Sequence, residues 1–265
     1  KLIFDLIDIN YILKTKNMLF YNNLIFQVSG ITALLSVFIG FITGSVVLYR
    51  AIKTKERIVF SFFLAVIFTL SPWFPSGFGY LIWLFTQGGF LDQSFYILIG
   101  TIAIPVAIIA WLDVYMATIR PQNRKLVLII FSGLSIIFEF YLFYFLYFSP
   151  NAPFYEILGI ITAGVNPLDI DYKGFVLVYL AIVVFSACAT GIHFAYTSLK
   201  IEEKAMKWKG RFLFFAFCLF GIAAISDAMI DLGPIFIIII RLVLILANLF
   251  FYMGFLLPKF VRKLL

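Results

Sequence analysis

One histidine, His193, stands in 265 residues, and only two cysteines, Cys188 and Cys218. A single imidazole cannot build a multi-histidine metal site, and no serine–histidine–aspartate pattern is read around it. Both cysteines lie inside apolar helical runs, so they read as small core residues rather than a disulfide framework or a zinc site. Charge is scarce as well, at 12% of residues, where a soluble domain carries roughly 25%. No Walker loop or dinucleotide fingerprint occurs, because Gly40–Gly44 and Gly77–Gly79 lie in apolar stretches without phosphate partners. No catalytic constellation is expected, no metal and no cofactor; a bound lipid is compatible with so apolar a chain. Residues 1–23 lack the charged-then-apolar pattern and small-residue cleavage site of a signal peptide.

What is present is hydrocarbon: 64% of residues are hydrophobic and 20% aromatic. A chain of this size cannot hide that much apolar surface from water, so the bilayer is its solvent. Helices of about 20 apolar residues cross a ~30 Å hydrocarbon layer. Seven such runs are expected, at 24–49, 58–86, 94–119, 125–149, 174–199, 211–231 and 234–257, giving an all-α membrane protein. Residues 1–23 are too polar to span, but Leu2, Ile3, Leu6, Ile9, Ile12 and Leu13 recur near helical spacing, which suits an amphipathic segment at the surface. The second run holds Pro72, Pro75, Gly77 and Gly79. It reads as one kinked helix or as a helix with a re-entrant turn. Its prolines free backbone carbonyls and mark Ser71–Gly79 as a candidate cavity wall.

The net charge of +7 belongs to loops rather than to a nucleic-acid face. One side of the expected bundle carries Arg50, Lys53, Lys55, Arg57, Arg120, Arg124, Lys125, Lys200, Lys204, Lys207, Lys209, Arg211, Lys259, Arg262 and Lys263, against Glu56, Glu202 and Glu203. The other carries Lys1, Lys14, Lys16 and Lys173 against Asp5, Asp8, Asp92, Glu156, Asp169, Asp171 and Asp231. The positive-inside rule places the N-terminus outside and the C-terminus in the cytoplasm, as seven spans require. The expected division is therefore an extracellular segment 1–23, a membrane domain 24–258 and a basic cytoplasmic tail 259–265, in the plasma membrane. The longest loop, 150–173, has an apolar centre at Phe154–Val165 that fits a short interfacial helix, a lid or a docking surface.

Thr43-Gly44, Tyr49 and Lys53 recur at matching spacing as Thr190-Gly191, Tyr196 and Lys200; Tyr115-Met116 and Pro121 recur as Tyr252-Met253 and Pro258. Spans one to three would then repeat in parallel as five to seven, with span four as joiner, a 3+1+3 arrangement. This order resembles the group that holds microbial rhodopsins, small carriers built from two triple-helix bundles, and the seven-helix sensory modules of archaeal and bacterial signalling proteins. The resemblance is one of architecture, which does not fix function. It implies no retinal here. Opsins need a lysine in the last helix, and Gly233–Pro258 has none, only Arg241, which stays protonated and cannot form the Schiff base.

Five ionisable residues fall within the spans: Asp113, Glu139, His193, Asp227 and Arg241. Asp227 lies about one turn from the end of span six, and Arg241 about two turns into span seven. The short connection makes the two helices neighbours, so an Asp227–Arg241 ion pair is expected, either as a ligand site or as a clamp between helices. Asn248 is a further polar group on span seven, for packing or binding. Asp113 and His193 share a depth and could pair, either as a proton relay or as an ordinary interhelical contact. Glu139 sits near the middle of span four, as a carrier carboxyl or bonded to a neighbouring tyrosine or carbonyl. The aromatic run Phe138–Phe148 surrounds span four and reads as facing lipid, a second copy or a membrane partner.

Three functions fit. The leading one is a seven-helix sensor or receptor that relays a ligand or membrane signal. Because Lys259–Leu265 holds no output domain, it needs a C-terminal extension or a cytoplasmic partner. The others are a small carrier, with Glu139, Asp227 and Arg241 along its path, and a non-catalytic subunit of a membrane complex.

Overall fold

The computed structural model describes residues 23–86, 91–149, 157–161, 166–229 and 234–258. The expected surface segment before Asn23 and the tail after Pro258 lie outside the described residues.

Seven helices are long and apolar enough to cross a membrane: Leu24–Thr54, Arg57–Thr86, Gln93–Ile119, Pro121–Phe148, Gly174–Leu199, Lys204–Ala228 and Ile235–Leu256. They are called spans one to seven. Span one starts where Asn23 caps it, the Asn23 side chain accepting from the Ile25 and Phe26 amides at 3.0 and 3.3 Å. It runs one turn beyond the expected Tyr49 boundary and stops at Lys55, whose left-handed backbone (φ 55°) caps it. Span six starts at Lys204, about two turns before the expected boundary. The lysines there were counted as loop, but their long side chains let a helix extend past the hydrocarbon.

Spans two and three are both broken. Span two is helical over Arg57–Thr69, tightens to a 3-10 turn at Ser71–Trp73 and resumes at Phe74–Thr86. Of the two alternatives, the kinked helix is the one formed. Span three breaks between Thr101 and Ile104, with Pro105 in the first turn of its second half. The two breaks meet: the Ser71 hydroxyl donates to the Gly100 carbonyl at 3.3 Å. A carbonyl freed by one break is thus satisfied by a residue of the other, as burial away from water demands.

The spans close into a ring in the order one, two, three, five, six, seven, with seven back against one; span four stands outside, against three and five. Span four is apolar all round, but its aromatic run is not uniformly exposed. Phe138 is 0% exposed and stacks on Tyr179 of span five at 4.0 Å, whereas Phe140 is 74% exposed. Ser135 and the Tyr179 hydroxyl bond at 2.9 Å beside that stack. The face through Ser135, Phe138 and Leu142 is therefore packed against the bundle, and the opposite face is left open.

The long loop differs from the expected helix. Within Phe154–Val165, Gly159–Ile161 is a strand (β1) that pairs antiparallel with Ile170–Tyr172 (β2), in register Gly159↔Tyr172. Residues 154–156 and 162–165 lie outside the described residues. Consecutive β-branched residues and a small glycine suit a short ladder better than a helical turn. The turn between the strands is pinned to three spans. Asn166 donates to Ser29 of span one at 3.0 Å. The Leu168 carbonyl accepts from Ser76 of span two at 2.8 Å and from Tyr96 of span three at 2.7 Å. The bundle thus has a hairpin end, covered by β1 and β2, and a basic end.

Gly174 joins β2 to span five with φ +55°, and a Cβ there would lie 2.9 Å from the Ile157 carbonyl. A left-handed residue with a side chain costs about 1–2 kcal/mol. Gly174→Ala is expected to destabilise the protein by about that amount, read as a lower thermal midpoint in detergent; an unchanged midpoint would show that the hairpin is not coupled to span five.

Candidate ligand cavity

The kink in span two turns the Trp73 side chain inward, and the indole N–H donates to Asp227 of span six at 2.7 Å. Arg241 of span seven donates to the same carboxylate oxygen at 3.1 Å, with its guanidinium 5.7 Å from the Trp73 ring centre. The expected Asp227–Arg241 pair is therefore formed, and an aromatic residue of a third span completes it. The charges neutralise each other where neither could remain alone in hydrocarbon.

This cluster forms one wall of a cavity of ≈ 610 Å³ bordered by spans two, three, five, six and seven and by the hairpin. The volume lies within the range of small-molecule sites. Polar groups gather at its hairpin end: Asp227 and Arg241, with Ser76, Tyr96, Asp169 and Tyr172. Its body is hydrocarbon, with Val66, Ile108, Trp111, Phe217 and Phe251 among the residues lining it. Toward the basic end, aromatic contacts form its floor. Phe62 stacks on Phe255 at 3.6 Å, and Phe217 meets Trp111 and Phe251 at 4.7 and 4.8 Å.

Two donors on span seven face this space without partners. Arg241 Nε and Asn248 Nδ2 are buried, border the cavity and make no hydrogen bond. Asn248 is 4% exposed. Seven residues apart is about two helical turns, so both lie on one face of span seven. A buried donor left unmade costs about 1–3 kcal/mol, which an acceptor on a ligand would recover.

Asp169 contributes the second carboxylate. It sits in the hairpin turn beside β2, exposed at the surface and also bordering the cavity. Desolvation by the surrounding protein raises its pKa to about 6, with repulsion from Asp227 adding to this and Arg241 opposing it. Tyr172 of β2 is half-buried with its hydroxyl out of solvent, and this desolvation lifts its phenol well above the ordinary range.

The other sequence candidates separate. Pro72 borders the cavity, but Pro75 packs instead toward Gly100 of span three. Asp113 and His193 do not pair. Asp113 and Tyr115 are two residues apart, about 200° around span three, and so face opposite ways. His193 Nδ1 meets the Tyr115 hydroxyl at 2.8 Å, while Asp113 accepts from Ser61 at 3.0 Å and from Arg124 at 2.9 and 2.6 Å. The Asp113 cluster therefore ties spans two, three and four together at the basic end. Glu139 is half-buried on span four, its Oε2 makes no hydrogen bond, and it does not border the cavity.

Sequence reasoning missed Trp73, Asp169 and Arg124. Trp73 carried a signal, since it sits inside the proline-marked wall. Asp169 and Arg124 were read as loop charges, and nothing local distinguishes them from the others. Among the described residues, no group of histidine, cysteine and carboxylate side chains could hold a metal. The fold and cavity thus define a seven-helix membrane protein with an internal, one-ended pocket. No protein family, curated protein or solved structure matches the chain.

Proposed function

We propose that this chain is a receptor-type membrane protein that takes a small molecule into the cavity among spans two, three, five, six and seven. It would relay occupancy to the basic end. The observation that carries the reading is the pair of unpartnered, buried donors, Arg241 Nε and Asn248 Nδ2, bordering an apolar space of ligand size. A helix clamp alone needs the Asp227 contact and nothing more. Two features weigh against a carrier: Glu139 stands away from the cavity, and the aromatic floor closes it toward the basic end.

The hairpin end would face outward and the basic end the cytoplasm, at the plasma membrane, on the charge asymmetry of the loops. The 3+1+3 repeat gains support from matching contacts. Gly44 of span one is approached by Ile67 of span two, and Gly191 of span five by Phe217 of span six. Each glycine follows a threonine that bonds back to its own helix, Thr43 to Ile39 and Thr190 to Ser186. Signal relay would engage a cytoplasmic partner at the basic end, and the open face of span four leaves room for a second copy or another membrane protein.

Ala224 lines the cavity, and a phenylalanine there fills it. Trp73 and Trp111 report on occupancy by their fluorescence. A solvatochromic apolar dye is expected to bind the reconstituted protein and quench these tryptophans, with Ala224→Phe weakening binding at least tenfold. Equal dye binding by Ala224→Phe and by the unmodified protein would sink the cavity reading.

A further inference from the structure

The charges at the polar end of the cavity do not balance. Arg241 is taken up by Asp227, so Asp169 faces the cavity without a cation of its own. Among the described residues, no basic residue other than Arg241 borders the space. At the same time, Arg241 Nε and Asn248 Nδ2 lack acceptors. Tyr172 Oη borders the cavity and is likewise buried without a partner, so a ligand that fits must bring a positive charge and at least one acceptor oxygen, placed for Arg241 Nε. The rest of the cavity asks for hydrocarbon.

The route in follows from spans five and six. In their basic halves they touch closely. Phe217 packs over Gly191, and the Cys188 thiol donates to the Phe217 carbonyl at 3.6 Å. Nearer the hairpin, Leu177 of span five and Ile225 of span six both border the cavity and are exposed on the bundle surface. Residues that belong to both surfaces mark an edge where the cavity reaches the lipid. The hairpin, held to Ser29, Ser76 and Tyr96, covers the direct path from the end of the bundle.

We propose that the cavity binds a single-chain lipophilic amino alcohol that enters sideways from the bilayer between spans five and six. Its ammonium group pairs with Asp169, its hydroxyl oxygen accepts from Arg241 Nε, and its chain lies among Val66, Ile108 and Phe217. The inference rests on the cavity being a ligand site and goes further by fixing the ligand's class. An ammonium beside Asp169 also favours its charged form, against the neighbouring protein that raises its pKa. Asp227 of span six, Arg241 of span seven, Asp171 of β2, and the phenols of Tyr96 and Tyr172 are the other groups acting on it. An alkylamine stays protonated well above neutrality. Binding should therefore be weak at pH 5, where Asp169 is mostly protonated, and strengthen as pH rises through about 6.

The test uses the full chain in lipid nanodiscs with dodecylamine, dodecanol, dodecanoate and the matching dodecyl amino alcohol, each below its micelle concentration. Binding is read by tryptophan quenching. The amine is expected to bind at least tenfold more tightly than the carboxylate and more tightly than the alcohol, and the amino alcohol more tightly still. Asp169→Asn keeps the oxygen that accepts from the Ile170 amide. It is expected to lower amine affinity at least tenfold and remove the rise between pH 5 and 7, with Asp169→Glu restoring part of both. Arg241→Lys keeps a positive charge facing Asp227 but lacks Nε, and it is expected to erase only the gain from the hydroxyl. Tighter binding of dodecanoate, or unchanged amine affinity in Asp169→Asn, would overturn the proposed head group. If all four probes bind alike and Ala224→Phe blocks them all, the cavity reading survives and the amino-alcohol assignment fails. If Ala224→Phe blocks none, both fail.

Discussion

Arg241→Ala is expected to lower the free energy of unfolding by about 3–5 kcal/mol, the loss that follows when one member of a buried ion pair is removed. The size of the effect comes from what remains. The Arg241 side chain is 7% exposed, and its partner Asp227 is held at 3.1 Å. Without the guanidinium, Asp227 keeps only the Trp73 indole at 2.7 Å and must stay charged in an apolar wall or take up a proton. Neutralising both partners, as in Asp227→Asn with Arg241→Gln, should cost markedly less than Arg241→Ala alone, because no charge is stranded. Thermal unfolding in one detergent, followed by intrinsic fluorescence, gives both values. Ile239→Ala on the exposed side of span seven is the control, and a loss for Arg241→Ala no larger than that control's would show that the pair does not clamp the helices.

Asp113→Ala should cost roughly 1.5–3 kcal/mol, the range for hydrogen bonds that involve a charged group. Its carboxylate is 7% exposed and accepts from two nitrogens of Arg124 and from Ser61, so three spans lose a shared point at once. The neighbouring arginine makes an internal contrast. Arg57 is 77% exposed and 3.9 Å away, so Arg57→Ala should fall within about 0.5 kcal/mol of the unmodified protein. The same thermal series measures both. Equal losses for the two would mean that bulk charge at the basic end, and not the Asp113 geometry, sets the stability. If the basic end relays occupancy of the cavity, Asp113→Ala should also weaken that relay without changing dye binding.

Seven spans were legible because the signal is additive. Each run of apolar residues has to cross the same thickness of hydrocarbon, and no distant contact changes that requirement. The Asp227–Arg241 pair was legible for a related reason. A short connection fixes which helices are neighbours, and helical rise fixes depth, so two charges at one level near one turn have few other partners. The kink at Pro72 was legible because proline lacks the N–H that a helix interior needs.

Tertiary structure alone decided the rest. Depth along a helix does not give direction around it, so Asp113 and His193 matched in level and yet turned to different neighbours. Which face of span four packs could not be read where aromatics surround it, and only the stack of Phe138 on Tyr179 chooses. Asp169 borders the cavity because β1 and β2 fold the loop back over the bundle and pin its turn to Ser29, Ser76 and Tyr96. Those hydrogen bonds join residues far apart in the chain, and a short ladder leaves only a weak local pattern. Periodicity and polarity thus determined the membrane frame and the buried ion pair by themselves. The cavity, its second carboxylate and its unpartnered donors exist only where five spans and a hairpin meet.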